Sequence, residues 1–408
     1  MSKTPLALVP VLALVSFGCT PNNQGNIEAT IEGDVSNPQA VVGDPTSELS
    51  SACGALEQDP RTSRQLTRLP YLNRVTPKGA TVMWAGVAMR GTQLQITTPA
   101  GKVVKTTQAK VDLPSEGAAT DRMLARVEGL KPGTTYCYSI LDAKGGTLLG
   151  RVGFKTAPRL GADVPVSFAV LGDSGDATAD QVALADRIND YPFDLMLHVG
   201  DMAYGSGAFA EFDATYFDIY GTLLSYVPVF PVAGNHEYRS PDAAPFRALF
   251  DLPNNERWYS FDYGDVHFIG LDTEQLGDEQ DAWLERDLRS SNAAWDIVYL
   301  HKGPYSSGVH GSNGEVQDRF QPLFERYGVR LVFSGHDHHY ERTKEINGVS
   351  YIVSGGGGAG TYPVQPSEFT ALAVEVIEFV YVTIEEDTLS LHAIDGTGKE
   401  FDQLVIEQ

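Results

Sequence analysis

Short apolar runs recur along the chain in two regimes. Between residues 66 and 156 they alternate with polar positions at period two (80–86, 94–98, 123–127, 135–141 and 148–154). Pro and Gly turns separate them and no stretch shows a helical period, which predicts an all-β sandwich. From residue 166 the runs become continuous (166–171, 195–199, 227–232, 297–300 and 329–333) and alternate with amphipathic stretches at helical spacing (179–189, 278–289 and 315–327). That alternation predicts an α/β domain. The chain therefore divides into a leader 1–18, a tether 19–65 without sustained periodicity, an all-β domain 66–158 and an α/β domain 159–408.

What ends each strand of the second regime carries the chemistry. The run 166–171 meets Gly172-Asp173-Ser174-Gly175, 195–199 meets Gly200-Asp201-Met202-Ala203-Tyr204, and 227–232 precedes Gly234-Asn235-His236-Glu237. The run 297–300 meets His301, and 329–333 meets Ser334-Gly335-His336-Asp337-His338. Open α/β sheets bind ligands beyond the carboxyl ends of their strands, so these five groups are expected to converge. A single Gly-Asp after a strand is usually a turn, but five donor groups in one domain do not fit that reading. His336 and His338 are two apart, so both can face one centre while Asp337 points elsewhere, and imidazole is the commonest neutral metal ligand. Asp173, Asp201, Tyr204, Asn235, His301, His336 and His338 are too many donors for one tetrahedral zinc and suit two ions, with a carboxylate shared between them. Asp201, central in the chain order, is the candidate bridge. His198 and His267 lie inside apolar strands and read as core, while His339, Glu341 and Arg342 read as surface residues or as supports behind the ligands.

Charge narrows the partners. A formal net charge of -23 and a pI near 4.7 repel nucleic acid and anionic membrane surfaces. An anionic substrate must then be small and drawn by local positive charge, which bound metal ions supply. Residues 1–18 hold Lys3 and an apolar run closed by Gly18, too short to span a bilayer, which marks an export signal. Cys19 followed by Thr20-Pro21-Asn22-Asn23 resembles a bacterial lipoprotein signal, with Cys19 lipidated and the tether lifting the domains off the envelope membrane. Ser16 and Phe17 depart from that pattern, and cleavage after Gly18 to give a periplasmic or secreted protein is the alternative. Export permits Cys53 and Cys137 to pair, and two free thiols fit the cysteine count equally.

The five blocks resemble the signature blocks of the purple acid phosphatases, within the calcineurin-like metallophosphoesterases, and all seven ligand positions match. The run Leu130-Lys131-Pro132-Gly133-Thr134-Thr135-Tyr136-Cys137-Tyr138 resembles the tyrosine-containing strand entry of fibronectin type III domains, which plant-type members carry at their N-terminus. The similarity runs from residue 66 to about 395. It implies a four-layer αββα metallophosphoesterase sandwich preceded by an all-β fibronectin/Ig-like domain. It also implies a ferric ion on Asp173, Tyr204 and His338, a divalent ion (Fe2+, Zn2+ or Mn2+) on Asn235, His301 and His336, and Asp201 between them. Tyr204 discriminates within the superfamily, since most members lack it and tyrosinate favours ferric iron. His236 and His310 would face the substrate and assist the leaving group; Val309-His310-Gly311 stands where plant-type members often have a histidine pair. The implied activity is acid phosphatase, the hydrolysis of phosphate monoesters by a metal-bound hydroxide. A phosphodiesterase of the same fold and a non-catalytic surface binding protein are the alternatives, the second disfavoured by the intact donor set.

Overall fold

The computed structural model describes residues 40–56, 65–114 and 120–408. The first regime forms two four-stranded antiparallel sheets. One orders Leu66–Thr76, Gly79–Val87, Thr120–Glu128 and Lys110–Pro114; the other orders Val103–Gln108, Gln93–Thr97, Thr135–Leu141 and Thr147–Lys155. Their alternation buries Val82, Trp84, Leu94, Ile96, Met123, Tyr138 and Phe154 between them. Each such side chain contributes roughly 1.5–3 kcal/mol on burial. Leu66–Thr76, Val103–Gln108 and Lys110–Pro114 go beyond the expected set, and two have a local reason: 66–76 contains Pro70, while Val103–Gln108 is solvated on both faces and shows no alternation.

The second regime builds two mixed sheets. A six-stranded sheet orders Val229–Pro231, Leu195–His198, Val166–Leu171, Glu378–Glu385, Thr388–Asp395 and Glu400–Glu407, the first three parallel and the C-terminal three antiparallel. A seven-stranded sheet orders Tyr259–Tyr263, Val266–Gly270, Trp295–Lys302, Leu331–Gly335, Ser350–Ser354, Tyr340–Thr343 and Thr370–Val374. The sheets meet face to face, with Phe168 of the first 5.1 Å from Phe268 and 6.3 Å from Phe333 of the second. Period two then assigns each side chain. Ile297, Tyr299, Leu331 and Phe333 join the layer between the sheets, while Val298, Leu300 and Val332 face the helices Asp278–Ser290 and Gly314–Tyr327. Those helices return Leu284, Leu288, Val316, Phe320 and Phe324 at helical spacing. Helix Ala179–Ile188, capped by Thr178 accepting from the Gln181 amide, packs on the six-stranded sheet at Glu378–Glu385.

The all-β and α/β regions share one apolar core. Tyr71 packs 4.6 Å from Phe217 and its hydroxyl donates to Leu249 O at 2.7 Å. Tyr138 donates to Ser225 O at 2.8 Å, and Arg126 Nε donates to Asp251 at 2.9 Å.

The tether expected over 19–65 is corrected at its C-terminal end. Ser47–Cys53 is a helix, the Gly43 amide donates to Asp190 O at 2.6 Å, and the Leu56 amide donates to Tyr226 Oη at 2.8 Å. Buried Cys53 is disulfide-bonded to Cys137, with Cα atoms 5.5 Å apart. A crosslink holds this stretch where apolar periodicity does not. The leader 1–18 and Cys19 lie outside the described residues. Among the described residues no helix is long and apolar enough to cross a membrane.

Candidate dimetal centre

The two sheets deliver the donors from opposite sides. In the six-stranded sheet Leu171, His198 and Pro231 lie in register at the strand ends, and the loops just beyond carry Asp173, Asp201 and Asn235. The seven-stranded sheet brings His301 near the end of Trp295–Lys302, where the register slips between Tyr299 and Lys302, and His336 and His338 just after Leu331–Gly335. Three of these residues turn the chain sharply: Asp173, Asp201 and His336 have φ of 57°, 55° and 73°, in the left-handed region that side chains disfavour. Glycine beside them is a packing requirement. A Cβ on Gly234 would lie 2.2 Å from Asp201 Oδ1, and one on Gly335 would lie 2.4 Å from Asp173 Oδ2.

Two donor sets result. In the first, Tyr204 Oη donates to Asp173 Oδ1 at 3.2 Å and lies 3.0 Å from His338 Nε2, which is 3.6 Å from the same Asp173 oxygen. In the second, His301 Nε2 lies 3.1 Å from Asn235 Oδ1 and 3.5 Å from Asp201 Oδ2, and ligand atoms of Asp201, His301 and His336 all fall within 4.8 Å of one another. The sets meet where the His336 amide donates to Asp173 Oδ2 at 2.8 Å. His301 Nδ1 donates to Val199 O at 2.9 Å, which aims Nε2 into the cluster. At the rim, His236 Nε2 is 3.9 Å from Asp201 Oδ2 and its ring is 4.1 Å from Tyr204. The exposed His310 ring stacks on His336 at 4.1 Å and 23°.

The electrostatics are those of a buried anionic cluster. Burial pushes the Asp173 carboxyl well above the usual carboxylate range. Burial acts the same way on Asp201, but the adjoining His301 outweighs it and holds that carboxyl low. Burial opposes a charge on His301 too, yet Asp201 and Asp173 raise it to about 10. Burial takes His336 down to about 2 and His338 to about 4, and pushes the Tyr204 phenol well above its ordinary value. Among the described residues no Lys or Arg forms an ion pair with Asp173 or Asp201. Buried carboxylates, imidazoles, a phenol and an amide oxygen, with no Lys or Arg paired to the two carboxylates among the described residues, fit two metal cations of hard or borderline character.

Several supporting residues had no role in the sequence analysis. Glu237, in the Gly-Asn-His-Glu block, is fully buried and accepts from the amides of Asp201 (2.9 Å), Met202 (2.9 Å), Ala203 (3.1 Å) and Gly234 (2.7 Å). Burial and the nearby Asp201 push its carboxyl up to about 7 against those four donors. Tyr362 stacks on His338 at 4.1 Å and 10°, brought there by the Gly-rich loop after Ser350–Ser354, whose Gly357 amide donates to Gly172 O at 2.9 Å. The run Gly355-Gly356-Gly357-Gly358 was the available signal for that loop. Of the two readings of His339 and Glu341, the surface one is corrected and the supporting one remains: both are fully buried, because they face the loop at 306–311. Arg342 pairs with Asp402 at 2.7 Å. His198 is a core residue, 2.9 Å from Ser174 Oγ, and burial lowers it to about 3. His267 is buried between Asp262 and Asp287.

Comparison with known proteins identifies relatives of the α/β domain. The calcineurin-like phosphoesterase family model matches residues 166–340. A purple acid phosphatase of Glycine max is 29% identical over 229 residues, covering 50% of this chain and 49% of that protein. The Fe(3+)-Zn(2+) purple acid phosphatase 12 of Arabidopsis thaliana is 28% identical over 256 residues, covering 56% and 54%. The chain thus spans about half the length of these two relatives. Among solved structures, a purple acid phosphatase isolated from yellow lupin (Lupinus luteus) seeds shares the fold, with a TM-score of 0.73 over 83% of this chain and 74% of that one at 22% identity. The chain carries a calcineurin-like metallophosphoesterase domain at residues 166–340, in a metallophosphoesterase fold.

Proposed function

We propose that this chain is an exported acid phosphatase that hydrolyses small phosphate monoesters at two metal ions. The observation that carries the reading is the Tyr204 phenol oxygen, 3.2 Å from Asp173 and 3.0 Å from His338, beside a second set built on Asn235, His301 and His336. A ferric ion is assigned to Asp173, Tyr204 and His338, a divalent Fe, Zn or Mn ion to Asn235, His301 and His336, and Asp201 to both. When bound, two such cations lower the pKa of a water they share and neutralise phosphate oxygens. The protein's own groups do the rest. Glu237 and His301's bond to Val199 O hold the donors in place, and His236 and His310 stand at the mouth, where an imidazolium can protonate a leaving oxygen.

Two further assignments accompany this one. Residues 66–158 are read as a fibronectin type III-like domain, supported by Tyr136, whose hydroxyl accepts from the Lys131 amide at 3.1 Å, five residues upstream. Cys19 is read as a lipid anchor in a bacterial envelope. Cys19→Ala should move the protein from the membrane fraction to the soluble one; an unchanged distribution sinks the anchor.

Metal analysis of the purified protein tests the main proposal. Two metal equivalents including iron are expected, with a violet to pink colour from ferric tyrosinate, which Tyr204→Phe should abolish while the other donors remain. An iron-free, colourless protein that turns over neither aryl phosphate monoesters nor diesters would overturn it.

A further inference from the structure

The strip His336 to Glu341 splits its side chains between two tasks. His336 and His338 face the donor cluster, while Asp337, His339 and Glu341 face the opposite way, onto the loop 306–311. Asp337, 1% exposed, accepts from Ser306 Oγ at 2.5 Å, the His310 amide at 2.9 Å and the Gly311 amide at 3.1 Å. Glu341, fully buried, accepts from the Ser307 amide and Ser307 Oγ, each at 2.7 Å, and from Thr370 Oγ1 at 2.5 Å. The loop lies hard against both residues. A Cβ on Gly308 would come within 2.5 Å of Asp337 Cγ and 2.6 Å of His339 Cε1.

His310 depends on this clamp. Its ring is exposed and, among the described residues, takes part only in ring contacts, with His336 at 4.1 Å and Tyr362 at 5.7 Å. With no hydrogen bond to fix the ring, its position follows its backbone, and Asp337 grips that backbone on the His310 amide itself. We propose that Asp337 is a positioning residue that acts through His310: its carboxylate fixes the loop 306–311 so that the His310 imidazole stays over His336 at the mouth of the dimetal centre. The proposal rests on the reading of that centre as a phosphatase site faced by His310.

The test uses the full metal-loaded chain with Asp337→Asn and Asp337→Ala. Hydrogen exchange at the His310 and Gly311 amides should quicken by roughly 10- to 100-fold in the Ala variant, since each loses a charge-assisted bond. The Asn variant, which keeps one acceptor oxygen, should fall between. The His336 amide, bonded to Asp173, and the metal content should not change. On an aryl phosphate monoester, Asp337→Ala should lower kcat/KM by about the factor seen for His310→Ala, and the double variant should be no slower than His310→Ala alone. Unchanged exchange at residues 310 and 311, or losses that multiply in the double variant, would overturn the positioning role. Should the Ala variant fail to fold, the Asn variant supplies both readouts. A wild type with metal but no phosphatase activity overturns the function beneath the proposal; an active wild type with multiplying losses overturns only the proposal.

Discussion

His267 offers a stability prediction whose sign and size follow from its contacts. The residue is 8% exposed, with Nδ1 2.7 Å from Asp262 Oδ1 and Nε2 3.0 Å from Asp287 Oδ2, on the second strand of the seven-stranded sheet. Burial opposes the imidazolium, but the two carboxylates prevail and raise it from 6.5 to about 9. Between those values the folded chain holds a proton that the unfolded chain releases. The stabilisation is therefore complete below pH 6.5 and is lost as pH rises through about 9. A gap of that size corresponds to about 3 kcal/mol, and the steepest loss is about 1.4 kcal/mol per pH unit. His267→Gln keeps two polar contacts but no charge, so it isolates the term. Urea unfolding of both proteins at pH 6, 7, 8, 9 and 10 should give a wild-type advantage that is largest at pH 6 and shrinks steadily above it. A difference that is flat or grows with pH would refute the reasoning.

The other predictions concern the scaffold of the site and the N-terminal segment. Glu237→Ala strips the acceptor from four buried amides and should lower stability by about 2–5 kcal/mol and release metal, measured by urea unfolding and metal analysis; a variant with full metal content and unchanged midpoint contradicts the role. Cys53→Ser opens a loop spanning 84 residues, whose closure is worth about 4–5 kcal/mol of chain entropy. Its Tm should drop by several degrees, and a reductant should lower the wild type to the same value without affecting the variant. Equal melting of oxidised and reduced wild type would exclude a structural contribution.

How much of this was legible depended on whether the cause was local. The five ligand-bearing strands could be read because each is an apolar run closely followed by its donors, with a Gly in between in four of the five, and strand ends in such sheets meet at one edge. The run 378–385 is equally apolar, yet nothing in it says that it inserts antiparallel beside Val166–Leu171, more than two hundred residues earlier. The solvated Val103–Gln108 gave no alternation to read. Within the site, period two at 336–338 was enough to turn Asp337 away from the donor cluster, but what it turns toward is set by the loop 306–311. Glu237 likewise had no evident task, because three of its four partners are backbone amides some 35 residues upstream that no residue identity announces.

The chain's acidity sharpens the role assigned to the ions. Asp173, Asp201, Glu237 and Asp337 are all buried at or beside the centre, and the cations nearest to it are already engaged. Lys302 pairs with Glu274 at 2.7 Å, and Arg239 donates to Gly205 O at 2.7 Å. A phosphate ester approaching a protein of net charge -23 would thus meet a pocket lined by acidic side chains as well. Binding such an anion by side chains alone would set buried carboxylates against it at close range, where the low dielectric makes repulsion costly. On the proposed reading bound metal cations would reverse the sign locally, because Asp173 and Asp201, two of the carboxylates that would repel the ester, would be the ones that hold the ions. On the proposed reading, the ligand set that looks hostile to phosphate is what makes the site selective for it.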